Sequence, residues 1–79
     1  MSIIKATKLQ VLRFIQKNEV IEPMDLVNEF GFTPRYARIR IERLEAENPP
    51  MVEKLGVRRN AYCLTNAATR RIEYYDTRA

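Results

Sequence analysis

The 79-residue sequence has no histidine, one cysteine and two glycines. Each shortage closes off a class of chemistry. Without histidine, and with Cys63 alone, one chain holds neither a zinc site nor a Ser–His or Cys–His catalytic pair. A lone cysteine forms no intrachain disulfide, so a reducing compartment suits the chain, and Cys63 reads as a strand residue, with a free reactive thiol as the lesser alternative. Gly31 and Gly56 do not make a glycine-rich phosphate loop. No apolar run approaches membrane-spanning length, and the opening MSIIKATKLQVLRF is too interrupted by lysine and polar residues for a secretory signal. The carboxylates alternate with Lys and Arg in the manner of solvated helix faces. These absences predict a cytoplasmic protein that is not an enzyme and needs no cofactor or metal.

What is present is basic charge in one place. Lys and Arg number 14 against 10 Asp and Glu, a formal +4. Lys5, Lys8, Arg13 and Lys17 are balanced by Glu19, Glu22, Asp25 and Glu29, so the whole excess lies from Thr33 onward. Basic charge confined to one part of a chain suits phosphate contact, although mild basicity also serves solubility. The length allows one domain, residues 1–79, with a small core that oligomerisation commonly reinforces.

The most informative stretch is LVNEFGFTPRYARIRIERL, from Leu26 to Leu44. Leu26, Val27 and Phe30 fall at helical spacing. Gly31 tolerates the left-handed conformation that ends a helix, and Phe32 can fold back as a plug. Thr33 is a good N-cap, with Pro34 at the first helical position. Ala37, Ile41 and Leu44 make an inward stripe. That leaves Arg35, Tyr36, Arg38, Ile39 and Arg43 on or near the outward side. Two helices joined by a tight turn, the second offering arginines to solvent, have the form of a helix-turn-helix. The plainer alternative is a helical hairpin with a solvated basic face.

Elsewhere the pattern predicts a first helix over residues 6–17, with Leu9, Leu12 and Ile15 on one stripe that Val11 and Phe14 widen. Val20 and Ile21 read as a short extended link able to pair with a later hairpin. Pro23 begins the second helix, with Glu22 and Asp25 near its positive end. Asn48-Pro49-Pro50 stops the third helix at about residue 47. Residues 51–55 and 61–64 read as two strands, and the loop between them holds Arg58, Arg59 and Asn60. Thr65 caps a last helix over about 66–76. The expected order is helix, helix, helix, hairpin, helix.

The segment RYARIRIERLEAENPPMVEK resembles the recognition helix and first wing strand of MarR-like and related winged-helix regulators, where an Arg-Leu-Glu-like run leads into an apolar-Val-Glu-Lys strand. Here Arg43-Leu44-Glu45 leads to Met51-Val52-Glu53-Lys54. Tyr62-Cys63-Leu64-Thr65-Asn66-Ala67-Ala68 resembles the Tyr-x-Leu-Thr-x-x-Gly run entering their final helix, with Ala68 in place of the glycine. The resemblance covers roughly residues 26–68. It implies a mainly α (α+β) winged helix-turn-helix: three helices, a β-hairpin wing and a C-terminal helix. It further implies sequence-specific binding of double-stranded DNA by a transcriptional regulator. The recognition helix, about 34–47, would enter the major groove, and the wing, about 54–61, would reach the backbone or minor groove.

On that reading Arg35, Tyr36, Arg38 and Ile39 face base edges, and Thr33 offers a backbone N–H to phosphate. Arg40 and Arg43 touch phosphates or pair with Glu47. Arg58 and Arg59 are wing contacts supported by Lys54 and Asn60. A twofold homodimer is expected through the first and last helices, using Ile3, Ile4, Val11, Ile72, Tyr74 and Tyr75. The competing function is a winged-helix module that binds proteins in a larger assembly without touching DNA. RNA is disfavoured because no aromatic stacking platform is apparent on a sheet. The sequence names no target site or small-molecule effector.

Overall fold

The computed structural model describes residues 6–56 and 60–78. Four helices and one antiparallel hairpin follow in the expected order: α1 (Lys8–Asn18), α2 (Pro23–Phe30), α3 (Pro34–Ala46), β1 (Val52–Leu55), β2 (Ala61–Leu64) and α4 (Asn66–Arg78). Among the described residues no helix is long and apolar enough to cross a membrane.

Local chemistry sets most of the boundaries. α1 starts two residues later than the apolar pattern suggests, because Thr7 and Gln10 form a reciprocal cap. The Thr7 hydroxyl accepts the Gln10 N–H at 3.1 Å, and the Gln10 side chain accepts the Thr7 N–H at 2.8 Å. At its other end the Glu19 N–H bonds to the Ile15 carbonyl at 2.8 Å. α2 begins at Pro23, where Asp25 Oδ2 accepts the Glu22 N–H at 2.8 Å. α3 stops before Asn48-Pro49-Pro50, and the chain then turns so that the Met51 N–H reaches the Leu44 carbonyl at 2.9 Å. Thr65 caps α4: its hydroxyl accepts the Ala68 N–H at 3.2 Å and donates to the Pro50 carbonyl at 2.6 Å. One threonine thus starts the last helix and ties it to the exit of α3.

The hairpin pairs Val52 with Leu64 and Leu55 with Ala61. Ile21 extends it, exchanging both backbone hydrogen bonds with Tyr62 at 2.8 and 2.9 Å. The short link between α1 and α2 is therefore a one-residue third strand, as its extended character suggested. A two-stranded ribbon is marginal alone, and here α1, α3 and α4 all pack against it.

The core draws on every element: Val11, Leu12 and Ile15 from α1, Leu26 from α2, Ala37, Ile41 and Leu44 from α3, Met51, Val52 and Tyr62 around the hairpin, and Ala68 and Ile72 from α4. Each fully buried aliphatic side chain contributes about 1.5–3 kcal/mol of transfer free energy. Among the described residues no polar or charged side chain is buried. Two positions expected at a subunit interface belong to this core instead. Val11 is 0 % exposed and Ile72 is 2 % exposed, so neither has surface left to offer a second chain. The apolar face of α1 centres on Val11, Leu12 and Ile15, while Leu9 and Phe14 lie half-buried at its edges.

Candidate functional site

The α2–turn–α3 unit builds the site. Gly31 takes φ 75° and ψ 19°, the left-handed conformation that ends α2, and its N–H bonds to the Val27 carbonyl at 3.0 Å. That reversal turns Phe32 inward to 5 % exposure. The ring stacks on Phe30, with centroids 5.4 Å apart, and meets Tyr36 edge-on at 4.9 Å. Phe14 of α1 adds an edge contact to Phe30 at 5.5 Å. The plug expected at Phe32 is thus the middle of an aromatic ladder from α1 to α3. Thr33 then caps α3, its hydroxyl accepting the Tyr36 N–H at 3.1 Å.

Successive residues in a helix turn by about 100°. With Ala37, Ile41 and Leu44 buried, the opposite stripe consists of Arg35, Ile39 and Arg43. Arg35 and Arg43 are exposed, and Ile39 is half-buried. Arg38 and Glu42 flank this stripe on the hairpin side, and Tyr36 and Arg40 flank it on the α1 side. Pro34, Arg35, Arg38, Ile39 and Glu42 line an open cleft of about 440 Å³. A smaller cleft of about 170 Å³ brings Arg38 and Pro34 together with Asn60 beside β2 and with Glu22, Pro23, Met24 and Val27 of the α2 start. The expected contacts from helix and hairpin therefore share one side of the molecule at Arg38 and Asn60. Lys54 is exposed on β1, directly opposite Tyr62. Arg58 and Arg59 lie outside the described residues.

Charge on α3 is mixed with respect to the helix dipole: Arg35 in the first turn opposes it, and Arg43 in the last turn complements it. Arg35 and Arg38 occupy the first two turns, where the macrodipole is positive, and Glu45 and Glu47 lie at the negative end. Among the described residues, Arg35, Arg38, Arg43 and Glu42 make no ion pair. Both factors leave this end of the helix electropositive and open.

Arg40 behaves differently from its expected role. Its Nη1 donates to the Ala6 carbonyl at 3.1 Å and to the Tyr36 hydroxyl at 3.2 Å. The guanidinium also lies 5.5 Å from the Phe32 ring centre and 5.7 Å from that of Tyr36. It holds the aromatic ladder to the chain before α1. The partner suggested for it by helical spacing, Glu47, pairs with Lys8 of α1. Tyr36 is 40 % exposed, and its ring and hydroxyl both serve this internal contact.

The Tyr62 hydroxyl titrates above its ordinary value, chiefly through burial and then through the negative charges of Glu45 and Glu42, which Arg38 partly offsets. Burial, and then Glu53 on the facing strand, push the Cys63 thiol up. A raised thiol is a poor nucleophile.

Of the remaining interface candidates, Ile3 and Ile4 lie outside the described residues. Tyr74 and Tyr75 are 52 % and 37 % exposed and pack edge-to-face at 5.9 Å. α4 is tied to α1 by an ion pair between Asp76 and Arg13. Sequence reasoning overlooked Met24, which is 55 % exposed beside Arg38 and Asn60. It also passed over Glu42, although a spacing of four residues from Arg38 and seven from Arg35 puts that carboxylate on the same side of α3. The sequence matches no protein-family model, and no curated protein or solved structure is significantly similar to it.

Proposed function

We propose that this chain is a winged helix-turn-helix protein that binds double-stranded DNA sequence-specifically and acts as a transcriptional regulator. One observation carries the reading. Arg35 and Arg38 stand unpaired and exposed on the first two turns of α3 and line one cleft, and Arg38 also lines the neighbouring cleft that holds Asn60, the residue before β2. Like charge at a helix N-terminus costs stability, by about 0.3–1 kcal/mol in exposed positions. A polyanion relieves both the dipole and the arginines.

In this reading α3 lies in the major groove. Arg35 and Arg38 pair with guanines, and Ile39 packs on a thymine methyl. Arg43, one turn further on the same stripe, meets the backbone. The Thr33 hydroxyl accepts the Tyr36 N–H in the cap, and Thr33 serves phosphate through its backbone N–H. Lys54, Asn60, Arg58 and Arg59 make the sequence-independent contacts of the wing. Tyr36 and Arg40 support the helix from behind rather than read bases. A second copy, joined through the exposed Tyr74–Tyr75 face of α4, supplies the second half-site.

The test is selection from random duplexes, followed by titration of the selected and a scrambled duplex at several salt concentrations. Arg35→Ala or Arg38→Ala should cost about 1–3 kcal/mol at particular base pairs. Replacing Arg58 and Arg59 together should weaken binding to all sequences alike and flatten the salt slope by about 1 per lost phosphate contact. Absence of salt-dependent duplex binding in the intact chain would exclude this function and leave the protein-binding alternative.

A further inference from the structure

We infer that Glu42 is a specificity-determining residue that selects a cytosine in the target half-site; this rests on the DNA-binding reading above. Glu42 is exposed and lines the same cleft as Arg35, Arg38 and Ile39. It makes no ion pair among the described residues. Arg38, four residues earlier, is the obvious partner, but that arginine-before-glutamate order is the less favourable one on a helix.

A carboxylate on a surface applied to DNA meets one phosphate charge per about 1.7 Å of duplex. It weakens binding to every sequence unless it meets a hydrogen-bond donor. The major groove offers two kinds of donor, the cytosine N4 amino group and the adenine N6 amino group. Adenine presents the N7 acceptor beside its donor, and that lone pair repels a carboxylate. Guanine offers only N7 and O6, and thymine offers O4, so both are repelled outright. Cytosine N4 has an acceptor on one side only, O6 of its paired guanine, whereas adenine N6 lies between N7 and the O4 of its paired thymine. Glu42 therefore works more by exclusion than by attraction, which is how binding sites gain discrimination at the expense of raw affinity.

Geometry places the chosen base. Four residues of helix rise about 6 Å, nearly two base steps of about 3.4 Å. A recognition helix lies inclined to the duplex axis, so the cytosine should lie about one or two steps from the guanine read by Arg38.

Random-duplex selection with the wild-type chain, Glu42→Ala and Glu42→Gln tests this, with thermal unfolding as the control for fold. The wild-type consensus should contain a fixed C·G pair, with other bases there losing roughly 10- to 100-fold in affinity. Glu42→Ala should abolish preference at that pair alone and tighten binding to a scrambled duplex. Glu42→Gln should move the preference to adenine, whose N6 and N7 match an amide. If the wild type yields a consensus and both variants keep it unchanged, Glu42 has no such role, although DNA binding stands. If the wild type binds no duplex, the DNA-binding reading fails and this assignment fails with it.

Discussion

Phe32 stacks on Phe30 across Gly31, with ring centroids 5.4 Å apart and planes inclined by 24°. Two aromatic residues separated by one position meet this way because the residue between them is left-handed, at φ 75°. Gly31→Val puts a β-branched residue into that conformation, at a cost of about 1–3 kcal/mol. Thermal unfolding should show the loss, and near-ultraviolet dichroism should report the disturbed ladder. Unchanged stability would mean that the turn does not depend on this glycine.

Arg40 and Arg35 are one helical turn and a residue apart, yet their replacements should separate stability from binding. Arg40→Ala removes hydrogen bonds to the Ala6 carbonyl and the Tyr36 hydroxyl and a cation lying over two rings. The expected cost is about 1–2 kcal/mol of stability. Denaturant unfolding should show a lower midpoint with the slope unchanged.

Arg35→Glu should act in the opposite direction. Arg35 is exposed, unpaired and in the first turn of α3. A carboxylate there complements the helix dipole and should raise stability by about 0.3–1 kcal/mol at low salt. The same change should abolish duplex binding. A gain in stability with a loss of binding is the signature of a residue kept for function; a loss of both would point to a structural arginine.

These contrasts show where the sequence was legible. The turn, the caps at Thr33 and Thr65, the pairing of Ile21 and the order of elements are encoded within a few residues or in a plain period. The Thr7–Gln10 cap was equally local, and a start placed at residue 6 overlooked it. Arg40 bonding to Ala6, and Lys8 pairing with Glu47, join positions 34 and 39 residues apart, which no helical spacing reveals. Periodicity put Val11 and Ile72 on apolar faces, but it does not say whether the chain itself or a second chain covers them. For the site, the pattern isolated the arginines of α3; the company of Asn60 and Met24 depends on how the hairpin and α2 fold over its first turns.

Stability should fall in alkali through two neighbouring groups. Tyr62 titrates above 10.0 and Cys63 above 9.0 when folded, both chiefly through burial. A raised folded value means that the unfolded chain releases its proton first. The stabilising contribution of each group is intact below its ordinary value and is lost as pH rises through the folded one. Equilibrium unfolding between pH 8 and 11 should therefore show stability declining from about pH 9 upward. Tyr62→Phe should flatten the upper part of that decline, and Cys63→Ala the lower part. A decline unchanged in both variants would assign it to other groups.

The proposed subunit interface has a smaller surface to draw on than the sequence suggested. Ile72 is 2 % exposed, so Ile72→Asp would bury a charge in the core and unfold the monomer, at a cost of roughly 3 kcal/mol or more. The informative positions are Tyr74 and Tyr75, about half and a third exposed on α4. Covering what remains of each ring contributes about 1 kcal/mol, a fraction of the value for a fully exposed aromatic side chain. A twofold contact counts every residue twice. Replacing both tyrosines by alanine should therefore weaken self-association by on the order of 4 kcal/mol, roughly a thousandfold in Kd, while the monomer keeps its helical dichroism. Sedimentation near 10 µM, a concentration at which a dimer of Kd about 1 µM is mostly assembled, reads the mass directly. A wild-type chain that sediments as one copy, and binds a single half-site as tightly as a palindrome, would remove α4 as an interface and leave one copy of α3 to supply all the affinity.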